Sequence, residues 1–124
     1  MSMQQAISAA QIGGPQPGSN GVHALEFRFS PDDPMFAGHF PGRPLLPGIF
    51  QLEMARMGAE TILKCRLRVR EVVKAKFLRP ILPAEIVSMS VKFSEEADKI
   101  QVQASFTVEQ RPAGEAVLVL SRDT

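Results

Sequence analysis

His39, one of the two histidines of this 124-residue chain, stands in the stretch AGHFPGRPLLPGIFQLE (37–53), with prolines at 41, 44 and 47, a glycine at 48 and a glutamate at 53. An imidazole, with an unperturbed pKa near ~6.5, can be neutral at working pH and still accept a proton, which makes His39 a candidate general base. Gly48 follows Pro47 at the head of an apolar segment. If that segment is a helix, the Gly48 amide is one of its orphan donors, at the end where the macrodipole amounts to about +0.5 charge, and it can stabilise negative charge growing on an oxygen. Glycine there also lets a ligand reach the backbone. Glu53, one turn inside, could donate a proton to a leaving group if desolvation kept its pKa high. The three prolines restrict φ through the loop and hold the ring and the helix start in one relative geometry. Plainer readings fit the same residues. GHFPGRP could be a rigid connector with His39 satisfied in a core, and Glu53 could belong to a solvated stripe paired at i,i+3 and i,i+4. An Arg56 pairing of that kind would depress the Glu53 carboxyl.

The elements that position these residues follow from periodicity. A helix is expected from about Gly48 to Lys64, with Pro47 just before its first turn, where a missing N–H costs nothing. At ~100° per residue, Phe50, Leu52, Met54, Ala55, Ala59, Ile62 and Leu63 cover most of its circumference, while Glu53, Arg56, Glu60 and Lys64 fall within a sector of roughly 80°. Such a helix is wrapped by apolar surface except along one stripe. Met54, Met57, Phe50 and Leu52 could line an apolar tunnel or simply fill a helical core. Strands are expected at Val22 to Phe29, Glu71 to Leu78, Ile86 to Phe93, Lys99 to Glu109 and Glu115 to Ser121, clearest in KIQVQASFTVE, where apolar and polar residues alternate. SEEAD (94–98) and RPAG (111–114) supply hairpin turns. One buried helix between a first strand and a run of antiparallel strands predicts an α+β fold, with the sheet curled around one long central helix. Residues 1–21, which include IGGPQPGSNG, read as a flexible N-terminal lead-in, and 22–124 as the single domain.

Composition narrows the function. A chain that is 44% hydrophobic and 22% charged, with net charge +1, is an ordinary globular domain without a general attraction to nucleic acid or membranes. One cysteine excludes an internal disulfide, and His23, His39 and Cys65 lack the paired spacings of a metal site. His23 reads as a packing or rim residue, and Cys65 as filler at a helix end. No basic start followed by an apolar run is present, nor any run of about 18 apolar residues, so a cytoplasmic location is expected. Seven of the 14 basic residues lie between 64 and 79: Lys64, Arg66, Arg68, Arg70, Lys74, Lys76 and Arg79. Either they dock an acidic partner or they form the solvated face of a strand. Nucleic-acid binding ranks low, since no aromatic residue interrupts residues 64 to 76.

The order strand, GHFPGRPLLPG, helix with an early carboxylate, then VVKAKFLRPILPAE resembles the hotdog-fold 3-hydroxyacyl-acyl-carrier-protein dehydratases over residues 22 to 121. The elements that carry it are Phe36, Gly38, His39, Phe40, Pro41, Pro44, Pro47, Gly48 and Glu53, with Lys76, Phe77 and Pro80 as a second anchor. The resemblance implies removal of water from 3-hydroxyacyl thioesters to give trans-2-enoyl thioesters, without metal or redox cofactor. His39, Glu53 and Gly48 would be catalytic, and Phe40, Pro41, Pro47, Ile49, Phe50 and Met57 would contact the substrate. The partner would be an acyl carrier protein docked near Arg66, Arg68, Arg70, Lys74, Lys76 and Arg79. A homodimer or a multiple of dimers is implied, with Glu53 reaching the histidine of the other subunit. Three features depart from the family pattern: Met57 replaces a glutamine, Pro83-Ala84-Glu85 replaces Pro-Gly-Asp, and no convincing strand precedes Val22. A hotdog thioesterase and a non-catalytic acyl-carrier or acyl-chain binding module are the alternatives.

Overall fold

The computed structural model describes residues 2–37 and 45–123. The chain runs α1 (Met3–Ala10), β1 (Gln11–Pro17), a 3₁₀ turn (Ser19–Gly21), β2 (His23–Arg28), α2 (Pro34–Ala37), α3 (Gly48–Leu63), β3 (Leu67–Phe77), β4 (Ile86–Glu96), β5 (Lys99–Val108) and β6 (Arg111–Arg122). The six strands form one sheet in the order β1-β2-β4-β5-β6-β3, every neighbouring pair antiparallel.

The sheet curls around α3, as the alternation in the strands requires. Leu25 and Phe27, Val87, Met89 and Val91, Ile100, Val102, Phe106 and Val108, and Leu118 and Leu120 all point inward and are almost fully buried. They close on Met54, Ala55 and Ala59 of α3, which have no exposure at all. At 25 cal/mol per Å², burial of each large side chain contributes about 1.5–3 kcal/mol, so this layer is the main source of stability. Helix α3 starts after Pro47, whose φ of −61° and ψ of 143° place it outside the helix, and ends at Lys64 in the left-handed region at φ 57°.

Two sequence expectations are corrected. Residues 1–21 are not a flexible lead-in. Ser2 caps α1 through a capping box with Gln5, and Ala6, Ile7 and Ala10 are buried in the common core. β1 then extends the sheet by pairing with β2, from Gln11 opposite Phe27 to Pro17 opposite His23. This supplies the strand before Val22 that the sequence did not reveal. S-x-x-Q ahead of Ala6, Ile7 and Ala10 was the overlooked signal. The last hairpin also turns earlier than expected. Glu109 and Gln110, with φ of 51° and 66°, form a two-residue turn, and Arg111 to Gly114 continue β6.

β3 differs from every other strand. Among its residues only Leu67 is buried, and it stands at one edge of the sheet with Val69, Val72, Val73 and Phe77 all exposed. The opposite edge, β1, carries Pro15 and Pro17, which have no N–H to offer a further strand.

Candidate active site

The site is built around the first turn of α3. The segment before it is anchored by Leu46, whose amide donates to the Ile81 carbonyl at 2.8 Å. Pro47 provides no side-chain cap. The first amide of this end to find an acceptor is that of Phe50, which donates to the Pro47 carbonyl at 3.0 Å. Among the described residues, the amides of Gly48 and Ile49 find none, and remain donors at the positive end of a 16-residue helix.

The Phe77 ring lies over Gly48. A Cβ on residue 48 would sit 2.6 Å from Cζ of that ring, closer than real side-chain contacts allow. Glycine is therefore required for helix start and ring to pack this way. Beside them runs a cleft of about 320 Å³, lined by Leu46, Gly48, Gln51, Phe77, Leu78 and Ile81 among others. It is mostly apolar, its polar side chains being the Gln51 carboxamide and Arg79, which pairs with Glu85.

Glu53 is placed differently from a proton donor. Arg56 donates from Nε to Glu53 Oε1 and from Nη2 to Oε2, the latter at 3.1 Å, and Gln4 of α1 donates to Oε2 as well. Burial alone would raise the Glu53 carboxyl, but the Arg56 and Gln4 hydrogen bonds and the Arg56 charge outweigh it and hold it below the usual glutamate range. Desolvation at this residue is accompanied by the Arg56 cation rather than acting alone. Arg56 also pairs with Glu60 at 2.8 Å and donates to the Leu67 carbonyl at 3.2 Å, while Glu60 accepts from the Leu67 amide at 2.8 Å. The stripe expected on α3 is thus a half-buried network that binds the helix to α1 and to the start of β3.

The other candidates separate. His39, Phe40 and Pro41 lie outside the described residues. Phe50 is buried and packs edge-on against Phe29, with ring centroids 6.2 Å apart, as part of the core rather than of the cleft. Ile49 is exposed, Pro47 is half-buried near the cleft, and Met57 is half-buried against the core. Lys74 and Lys76 share Glu115, at 2.8 and 3.9 Å, Arg79 pairs with Glu85 at 2.9 Å, and Arg70 donates to Ser121 Oγ at 2.7 Å. Arg68 is 4.0 Å from Asp123 in an exposed setting. His23 sits at the start of β2 with its ring 6.0 Å from that of Phe93, consistent with packing. Gln51, which the sequence reading passed over, is the one buried polar side chain among the described residues. Its place on an otherwise apolar helix face was the available signal.

Among the described residues, no group of three or more His, Cys, Asp or Glu side chains is arranged to hold a metal, and no helix is long and apolar enough to cross a membrane.

An antiparallel sheet wrapped around one long helix defines a hotdog-fold protein. Comparison with solved structures agrees. The dehydratase heterocomplex ApeI:P from Xenorhabdus doucetiae superimposes with a TM-score of 0.75 over 90% of this chain and 96% of its own, at 24% identity. A probable thioesterase from Bartonella henselae gives 0.66 over 82% and 90%, at 16% identity. Residues 16–116 match the family described as ApeI-like, ApeI dehydratase. The 3-hydroxyacyl-[acyl-carrier-protein] dehydratase FabZ of Herpetosiphon aurantiacus is 32% identical over 98 residues, covering 73% of this chain and 70% of that protein. FabZ of Chlamydia trachomatis is 35% identical over 72 residues, covering 51% and 47%, so the chain spans about half the length of that relative. The chain belongs to the ApeI-like family of hotdog dehydratases.

Proposed function

We propose that the chain removes water from 3-hydroxyacyl thioesters, carried on an acyl carrier protein, to give trans-2-enoyl thioesters in fatty acid or related acyl-chain biosynthesis. The observation that supports this best is the pair of amides at Gly48 and Ile49 that find no acceptor among the described residues, beside a mostly apolar cleft and soon after the HFP motif in sequence. In this reading the thioester oxygen accepts from the Gly48 amide, which stabilises the enolate as the α-proton leaves. Loss of one such donor costs roughly 3–4 kcal/mol of transition-state stabilisation. His39 takes that proton. Because Glu53 is held ionised by Arg56, the imidazolium formed at His39 is the acid that returns the proton to the departing hydroxide, and the products are the enoyl thioester and water. Glu53 acts as a hydrogen-bond acceptor that orients the ring or the leaving water.

The same reading makes the protein a homodimer, or a multiple of dimers, joined through β3. That strand is long and open, with Val69, Val72, Val73 and Phe77 exposed among charged residues, whereas the other sheet edge carries prolines. In antiparallel self-pairing, Val72 opposite Val73 sets Glu71 against Lys74. A two-fold axis on Val72 would set Arg70 against Lys74, which like-charge repulsion disfavours. An acidic carrier would meet Arg66, Arg68 and Arg70, of which Arg68 has only an exposed 4.0 Å pairing with Asp123. A cytoplasmic location accords with this role.

Hydration of a crotonyl pantetheine thioester, followed by loss of enoyl absorbance, tests the proposal. Turnover is expected. Release of free thiol would instead identify a thioesterase, and binding without turnover a non-catalytic module.

A further inference from the structure

Gln51 is buried to 3% exposure, and among the described residues its Oε1 has no hydrogen-bond partner. An unpaired acceptor held away from water is costly, so its retention in an apolar layer asks for a donor that arrives with a ligand. The side chain lies three residues beyond Gly48, on the same helix face, leaning back over the first turn. It borders the same cleft. The backbone beneath it is shaped to fit. A Cβ on Gly114 would sit 2.5 Å from Gln51 Oε1 and 3.0 Å from the Lys76 carbonyl oxygen. Two glycines, 48 and 114, therefore make room for two side chains, Phe77 and Gln51, that flank one opening.

Gln51 Oε1 therefore lies close to the Lys76 carbonyl oxygen of the β3–β6 ladder, an acceptor that brings no proton. A half-turn about the terminal torsion of Gln51, which is soft for a side-chain amide, places its amino group there as a donor to Lys76 and turns Oε1 toward the cleft. The cleft leads outward past Phe77 and Leu78, which are 51% and 56% exposed.

We propose that Gln51 is a specificity-determining residue, whose carboxamide oxygen accepts a hydrogen bond from the N–H of the amide nearest the sulfur in a pantetheine thioester. The inference rests on the placing of the thioester oxygen at Gly48. That amide nitrogen is two carbons from the sulfur, a reach comparable to the ~5–6 Å between neighbouring side chains one helical turn apart. The acyl group offers no competing N–H, and its hydroxyl sits at the reacting carbon. Phe77 and Leu78 give the arm an apolar wall on its way out to a carrier.

The test compares two crotonyl thioesters on the full-length protein: one with the natural pantetheine arm, the other with the N–H of the amide nearest sulfur replaced by an ester oxygen. Wild type is expected to favour the amide by about 5- to 100-fold in kcat/KM, the effect of leaving a buried acceptor unpaired. In Gln51→Met, which keeps the volume and removes the acceptor, the ratio is expected to collapse toward one. A role confined to structure would lower both rates and leave the ratio intact. The same ratio is read from dissociation constants by calorimetry, so wild type that binds but does not turn over still tests Gln51 while refuting the dehydratase reading. Equal preference in wild type and variant, or no preference in wild type, overturns the inference.

Discussion

Arg56 holds both carboxylate oxygens of Glu53 from one turn further along α3. The pair links the one acidic side chain of the family motif to the network that also contains Glu60, Gln4 and the backbone of Leu67. A carboxylate so held is ionised at neutral pH, which assigns the proton shuttling of the proposed reaction to His39.

Replacement of Arg56 by Met should reverse the electrostatic balance at Glu53. In the native protein the carboxyl is lowered, so its contribution to stability is complete above the ordinary value of 4.5 and is lost as pH falls through the lower folded value. In Arg56→Met burial is opposed only by the Gln4 hydrogen bond, the carboxyl rises, and the deficit is greatest near neutrality and shrinks below the ordinary value. Discounted for partial exposure, the loss at pH 7 should be about 1–2 kcal/mol. Urea denaturation at pH 7 and pH 4 checks it, and an unchanged deficit at the two pH values would contradict the assigned charge state.

Gly48→Ala should destabilise the protein by about 1–3 kcal/mol, because the new methyl meets the Phe77 ring. Phe77→Ala in the same chain should recover most of that loss. A double-mutant cycle measures the coupling, and additive effects would show that ring and helix start do not constrain one another.

Ile7 is 1% exposed in the shared core. Ile7→Ala should therefore cost about 2–5 kcal/mol, as for any buried aliphatic side chain. A thermal midpoint within a degree of wild type would restore the view of residues 1–21 as a loose lead-in.

Dimerisation through β3 gives a charge-specific prediction. Glu71→Lys should weaken self-association by setting lysine against Lys74 of the second copy, and sedimentation equilibrium should show a shift toward monomer. Like charges directly opposite cost about 0.2–1 kcal/mol per contact, twice in a two-fold interface, so the dissociation constant should rise by about 2- to 30-fold. An unaltered constant would exclude this register.

What was legible in the sequence followed from repetition. Val102, Phe106 and Val108 announce an inward face by alternation, and the apolar circumference of Gly48 to Leu63 announces a wrapped helix, so the fold emerges from patterns that many residues share. The motif from Phe36 to Glu53 marked the place of the site. Single-residue features were less visible. Arg56 at i+3 from Glu53 was readable as a pair, but not that β3 and α1 would cover it and make it half-buried. Gln51 was marked only by its place on an apolar helix face, and its proximity to Gly114, distant in sequence, was not readable. Residues 1–21 misled because Gly, Pro and Ser in the β1 region and the turn beyond it outweighed the short apolar pattern of α1.

The central claim is a single imidazole that both removes the α-proton and returns it. The most direct measurement is the dehydration rate of a 3-hydroxybutyryl pantetheine thioester for wild type, His39→Ala and Glu53→Gln under one set of conditions. His39→Ala should lose at least about 100-fold in kcat, the usual contribution of general acid–base catalysis, and Glu53→Gln should lose less. A His39→Ala enzyme that keeps its rate, or a Glu53→Gln enzyme that loses more than it, would contradict the account.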